Sequence, residues 1–272
     1  MRSGKFLFVI GSVLMLGLAL CLAGCSSDST SSANQEDPHY TQLKAQMNAQ
    51  VDSTLMLTSN ALQMYMVANV GDTGSSISFG SVNPDSIVAS GTWYLVYLGD
   101  IQTAFTSFYL DSVQFRKGGL PYSTPVNADA VQVRHLWRYN TADTTAAFKN
   151  VLATGTYTIN GLKTNEATVT GTSTHQTDYR ISAGGTRVNI NTETTVSSLT
   201  FHRDTNGWNT GIPTAGTVNA TMDMIYQRGT NDPDTTNWTI DATFNNGVMT
   251  ATVTCDDVTR TYVHDTNPPT QH

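Results

Sequence analysis

The chain has 272 residues, a net charge of −7, 13 % charged and 39 % hydrophobic residues. That balance argues against disorder and against a nucleic-acid footprint, since the densest basic run is Arg116-Lys117. Threonine occurs 43 times, 34 of them in residues 141–272, against only three glutamates, Glu36, Glu166 and Glu193. Threonine suits pleated, half-buried strands, whereas Glu, Lys, Leu and Ala suit helices, so the composition speaks against a helical bundle and a conventional α/β domain. A body of about 230 residues buries roughly 70 % of its unfolded surface and needs neither disulfide nor metal to fold.

In chain order, the first element is a leader. Arg2 and Lys5 precede an uncharged run from Phe6 to Gly24, which closes in Leu22-Ala23-Gly24-Cys25 followed by Ser26-Ser27. This resembles the bacterial lipoprotein signal peptide with its lipobox. The resemblance implies that residues 1–24 are a signal peptide and that Cys25 is lipidated. It also implies that the protein meets the membrane through acylated Cys25 and resides in the cell envelope. Ser26 rather than an aspartate after the cysteine favours the outer over the inner membrane by the same resemblance. The alternative is an uncleaved anchor, because an apolar run of about 19 residues approaches the ~20 that span a bilayer. Cys25 and residues 26–38, small and polar, form a tether that reaches at most about 45 Å when extended.

Residues 39–272 read as one β-rich domain that begins with a long helix, 39–69. Leu43, Met47, Val51, Leu55, Leu62 and Met66 recur near the helical period, Pro38 precedes the helix and Gly71 stops it. Met47, Met56, Met64 and Met66 give it a face that adapts to irregular partners. Residues 70–91 are a connection. Trp93 to Leu98 is apolar on both faces, which predicts a central strand or one lining a cavity. Strands follow at 105–116 and 129–139, then a short helix at 142–152 with Ala146, Phe148, Val151 and Leu152 as its apolar contacts.

Beyond residue 155 the pattern is threonine-rich and alternating. Val218, Ala220, Met222, Met224 and Tyr226 fall on one face, as do Trp238, Ile240, Ala242 and Phe244 in the next strand. Asn245-Asn246-Gly247 tolerates positive φ and makes a hairpin with 248–255; Asp256-Asp257 turns the chain into 258–264. Cys255, in phase with Met249, Ala251 and Val253, is expected to be a core position rather than a disulfide partner. Eight to ten strands in meander order give a mainly β fold: a curled antiparallel sheet or incomplete barrel with the N-terminal helix packed on it. In outline this resembles the half-barrel lipoproteins of the lipoprotein-localisation kind, or a lipocalin-like barrel.

Catalytic signatures are scarce. The chain has no G-x-S-x-G elbow, H-E-x-x-H helix or P-loop, and no cofactor is expected. A secreted hydrolase remains an alternative, because a Ser/His/Asp triad need not be close in sequence. His135 stands out: alternation sets it between Val133 and Trp137, with Tyr139 beyond, as a hydrogen-bonded core residue or a polar point in an aromatic cavity. Arg134 and Arg138 share the other face, about 13 Å apart at strand spacing. Asp204, Asn206 and Asn209 are weak calcium candidates around Gly207; they lack the third acid and bidentate Glu of an EF-hand, and Asn, Asp and Gly are ordinary turn residues.

The leading expectation is a non-catalytic, lipid-anchored module that holds a hydrophobic or amphipathic small molecule between sheet and helix. Trp93, Tyr97, His135, Trp137, Tyr139, Met56 and Met64 would line the site. The rival is a structural or adhesive envelope module that uses its Thr/Asn-rich surface to meet an envelope protein.

Overall fold

From residue 86 onward the chain alternates at period two, and strands are what such a chain can build. The computed structural model describes residues 86–101, 105–124, 127–141, 147–181, 185–204, 207–208, 213–255 and 258–265. All of them belong to the second of two units into which the chain divides, Leu62–His272. The expected helix 39–69, the tether and the leader lie outside the described residues.

Among the described residues thirteen strands follow one another. They are β1 (Ser86–Ser90), β2 (Trp93–Ile101), β3 (Phe105–Lys117), β4 (Leu120–Tyr122), β5 (Ala130–Thr141), β6 (Ala147–Asn160) and β7 (Glu166–Ile181). Then come β8 (Thr186–Asp204), β9 (Gly207–Trp208), β10 (Ala215–Arg228), β11 (Asp234–Asn245), β12 (Val248–Cys255) and β13 (Val258–Asp265). All pairings are antiparallel, and the path runs β1-β2-β3-β5-β6-β7-β8-β10-β11-β12-β13, with β4 folded back on β3 and β9 on β8. The two ends of the path, β1 and β13, do not pair with each other, so the sheet is open and not a closed barrel. Pro121 sits in the short side strand β4, where a missing N–H interrupts no central ladder.

Several expectations change. Residues 86–90, expected within the connection 70–91, form the edge strand β1. Among the described residues thirteen strands stand where eight to ten were expected, because β4, β9 and other short segments also pair. The helix expected at 142–152 is replaced, over its described part, by the first half of β6. An isolated helix that short is marginal in water. As a strand, Val151 instead pairs with Tyr139 on one side and Thr177 on the other, and is buried. Strand β2 is second from the edge rather than central. Its double-sided apolarity arises because both faces of the sheet are partly covered there: Val96 is buried on one, and Trp93, Leu95 and Tyr97 are half-buried on the other.

The core is one face of the sheet. Along β10, β11 and β12, buried and exposed residues alternate as the sequence predicts, and cross-strand rows such as Met222–Trp238–Cys255 carry the apolar side. Cys255 is buried in this row. The opposite face carries rows of threonine, for example Thr156–Thr172–Thr195–Asn219–Asp241–Thr252–Thr261 across seven strands. The hairpin between β11 and β12 turns on Asn246 and Gly247, both at positive φ, 48° and 83°. That is the conformation a two-residue hairpin turn demands and these residue types supply.

A bulge in β8 corrects the alternation. Val196 pairs with Gly171 and Leu199 with Val169, so Ser197 and Ser198 together oppose Thr170. Ser198 takes a φ of 51°. On the other side the bulged backbone lies against Gly216, where a Cβ would come within 2.4 Å of the Ser198 carbonyl oxygen. The extra residue changes parity: Val196 is buried before it, and Leu199 and Phe201 after it.

Candidate functional site

Strand register brings polar and aromatic side chains together in the middle of the apolar face. On β5, Val131 and Val133 are fully buried, but His135, Trp137 and Tyr139, next in phase, are only half-buried. Across β6 and β7 they face small or polar neighbours. His135 pairs with Gly155 and that with Ser173; Trp137 pairs with Ala153 and that with His175; Tyr139 pairs with Val151 and that with Thr177. The glycine and alanine leave a shallow floor between two taller rows of side chains. The Tyr157 ring lies over the glycines on its other side, so that a Cβ on Gly171 would meet Tyr157 Cδ1 at 2.5 Å. Burial raises the Tyr157 hydroxyl above its ordinary pKa, and its hydrogen bond with Ser173 opposes that rise.

The third strand supplies what the sequence left hidden. Asp111, directly opposite His135 on β3, is 1 % exposed, and its Oδ1 lies 2.8 Å from His135 Nδ1. Its Oδ2 is buried without a hydrogen-bond partner. Burial raises the Asp111 carboxyl above its ordinary pKa, and the hydrogen bond and charge of His135 pull it down. Facing a carboxylate, Nδ1–H donates to Asp111, and this contact orients the ring. Trp137 donates its indole N–H to Ser107 Oγ at 3.2 Å. Its ring centroid lies 6.1 Å from that of His175 and 6.3 Å from that of Tyr139. His175 Nε2 lies 3.4 Å from Thr177 Oγ1.

An Asp–His pair resembles two thirds of a hydrolytic triad. Ser173 shares its row, but two strand spacings, about 10 Å of backbone, separate it from His135 across the empty glycine position. What the arrangement offers chemically is an oriented imidazole at 22 % exposure beside a row of mutually tilted aromatic rings.

The seven residues expected to line one site do not share a face. His135, Trp137 and Tyr139 come together as described. Trp93 and Tyr97 lie on the opposite face of the sheet, where the Arg134 guanidinium sits 4.4 Å from the Trp93 ring and the Tyr97 ring is 6.4 Å from that of Phe108. The sheet itself separates the two groups, so one cavity cannot be lined by both. Met56 and Met64 are outside the described residues. Of the calcium candidates, Asp204 ends β8, while Asn206 and Asn209 are outside the described residues. Among the described residues no group of three His, Cys, Asp or Glu side chains comes close enough to hold a metal. Asp111 had a visible signal: it stands in phase with Val113 and Phe115, an acid in an inward position.

Comparison with protein-family models, curated proteins and solved structures finds no match to this chain.

Proposed function

We propose that the chain is a non-catalytic, lipid-anchored envelope protein that binds an amphipathic small molecule at the His135–Trp137–Tyr139 island. The observation that carries this reading is the break in burial on the apolar face. His135, Trp137, Tyr139 and His175 are half-buried there, whereas the corresponding face of β8, β10 and β11 is closed. An apolar surface with a few oriented polar groups suits a ligand with a hydrocarbon body and a polar end. Trp137 and Tyr139 contact the body. His135, held by Asp111, meets the polar end of the ligand. The envelope location rests on Leu22-Ala23-Gly24-Cys25 and the acylation it implies at Cys25.

Displacement of a hydrophobic fluorescent dye from the acylated chain tests this with a long-chain alcohol, the matching amine and the matching methyl ester. The alcohol and amine should bind more tightly than the ester. Trp137→Ala should weaken all three by about tenfold or more, and His135→Gln should remove the preference for the donors. Dye that is neither taken up nor displaced, or affinities that ignore both substitutions, rejects the reading.

A second reading has its own observation. Threonine rows cover the other face of β6 to β13, about 4.8 Å apart between strands and about 6.8 Å along them. Some pairs bond to each other, as Thr154 and Thr174 do through their hydroxyls at 2.9 Å. Thr172, Thr221, Thr239 and Thr243 are exposed. An adhesive module would use this surface. It predicts that Thr221→Arg with Thr239→Arg abolishes retention of a cross-linked envelope partner and leaves dye displacement unchanged; the opposite pattern removes this reading.

A further inference from the structure

The face that carries Trp93 and Tyr97 differs in charge and texture from the other described strands. Register sets Leu95, Ser112 and Arg134 in one row, Tyr97, Leu110 and Leu136 in the next, and Phe108, Arg138 and Leu152 in a third. The apolar members are half-buried and both arginines are exposed. Val88, on the edge strand and opposite Leu95, is 48 % exposed. No aspartate or glutamate occupies this face of β1 to β6, although the chain as a whole carries −7. The two acids within these strands, Asp100 and Asp111, fall in register with the other face, and Asp111 is engaged with His135.

Aromatic rings, branched apolar side chains and arginines without acids are what an interface between water and lipid selects. Trp and Tyr sit at headgroup level, aliphatic side chains reach the acyl boundary, and arginine lays its stem on apolar surface while its head meets phosphate. The Arg134 guanidinium lies 4.4 Å from the Trp93 ring centroid, so a cation and an aromatic ring stand side by side on this face. We propose that this face of β1 to β6 docks on an anionic lipid surface, with Trp93 and Tyr97 as the contacting rings and Arg134 and Arg138 as the headgroup-binding cations. The proposal rests on the lipid-anchored reading in one respect: a tether at Cys25 holds the face at high effective concentration beside the bilayer, so weak docking suffices. Docked this way, the polar–aromatic island on the other face of the sheet is turned away from the lipid.

Brominated lipids quench tryptophan that reaches them, which makes the test direct. The acylated chain is reconstituted in brominated phosphatidylcholine vesicles with and without phosphatidylglycerol. Quenching should appear with phosphatidylglycerol and vanish in the Trp93→Phe chain. Arg134→Gln with Arg138→Gln should weaken it roughly tenfold or more, and high salt should do the same. Quenching that persists in Trp93→Phe, or is equal in the two vesicle types, overturns the docking face. The mass of the intact processed chain reports acylation separately. An unacylated chain that still shows Trp93-dependent quenching on anionic vesicles keeps the docking face and rejects the anchor; an acylated chain without such quenching does the reverse.

Discussion

His135→Ala will lower the free energy of unfolding by about 3–5 kcal/mol at neutral pH, because it leaves a buried carboxylate without its partner. Asp111 is 1 % exposed, and its second oxygen already lacks a hydrogen bond. Burial holds its folded-state pKa above the ordinary value and His135 works against that rise. A group whose folded pKa lies above its unfolded one gives its full stability at low pH and loses it as the pH rises through the folded value. Removing His135 raises the folded value further, so the loss deepens at neutral pH and recedes on acidification as the carboxyl takes up a proton. Urea denaturation between about pH 4 and pH 8 should show this convergence of variant and parent. Asp111→Asn combined with His135→Ala should recover most of the loss at neutral pH. A deficit that is the same at both ends of the range would mean that lost packing, not charge, is the cause.

Deleting Ser197 and Ser198 together should cost roughly 3–6 kcal/mol, from two large side chains at about 1.5–3 kcal/mol each. Leu199 and Phe201 are both fully buried, and they face the core because Ser197 and Ser198 share the one outward position between Val196 and Leu199. Without both, Leu199 follows the inward Val196 directly, and the C-terminal end of β8 either turns both side chains to the threonine face or detaches from β7 and β10. Deleting Ser198 alone, by contrast, removes the bulge and keeps both side chains inside. Urea denaturation gives the total, and hydrogen exchange should place the new opening at residues 199–204 and their partners around Thr214 and Ala215. A midpoint that does not move would show that the strand tolerates the slip.

The sequence made the β10–β11–β12 region legible almost residue by residue, because nothing there competes with alternation. Val218 to Tyr226 and Trp238 to Phe244 lie on the expected side, and Asn246-Gly247 makes the expected turn. The short helix failed because Ala146, Phe148, Val151 and Leu152 fit a helical face as easily as a strand, and only pairing with Tyr139 and Thr177 decides between them. Within the site, His135, Trp137 and Tyr139 were readable as one face of one strand. Asp111, Ser107 and His175 were not readable as their neighbours, because periodicity gives the face of each strand but not its register against another. The same limit put Trp93 and Tyr97 with Trp137: alternation within β2 does not say which of its two apolar sides is the core.

The order of strands has a consequence for how such a chain is assembled. Every long strand pairs with the one just before and just after it, and only the short β4 and β9 are passed over. Each partner is therefore always the segment most recently made. Loop closure is short at every step, so the entropic cost of ordering is met in small instalments and never by a search across the whole chain. A chain emerging N-terminus first, from a ribosome or a translocation pore, can add one strand at a time to a growing template. The cost of that order is a succession of temporary open edges, each one exposed until the next strand arrives to cover it.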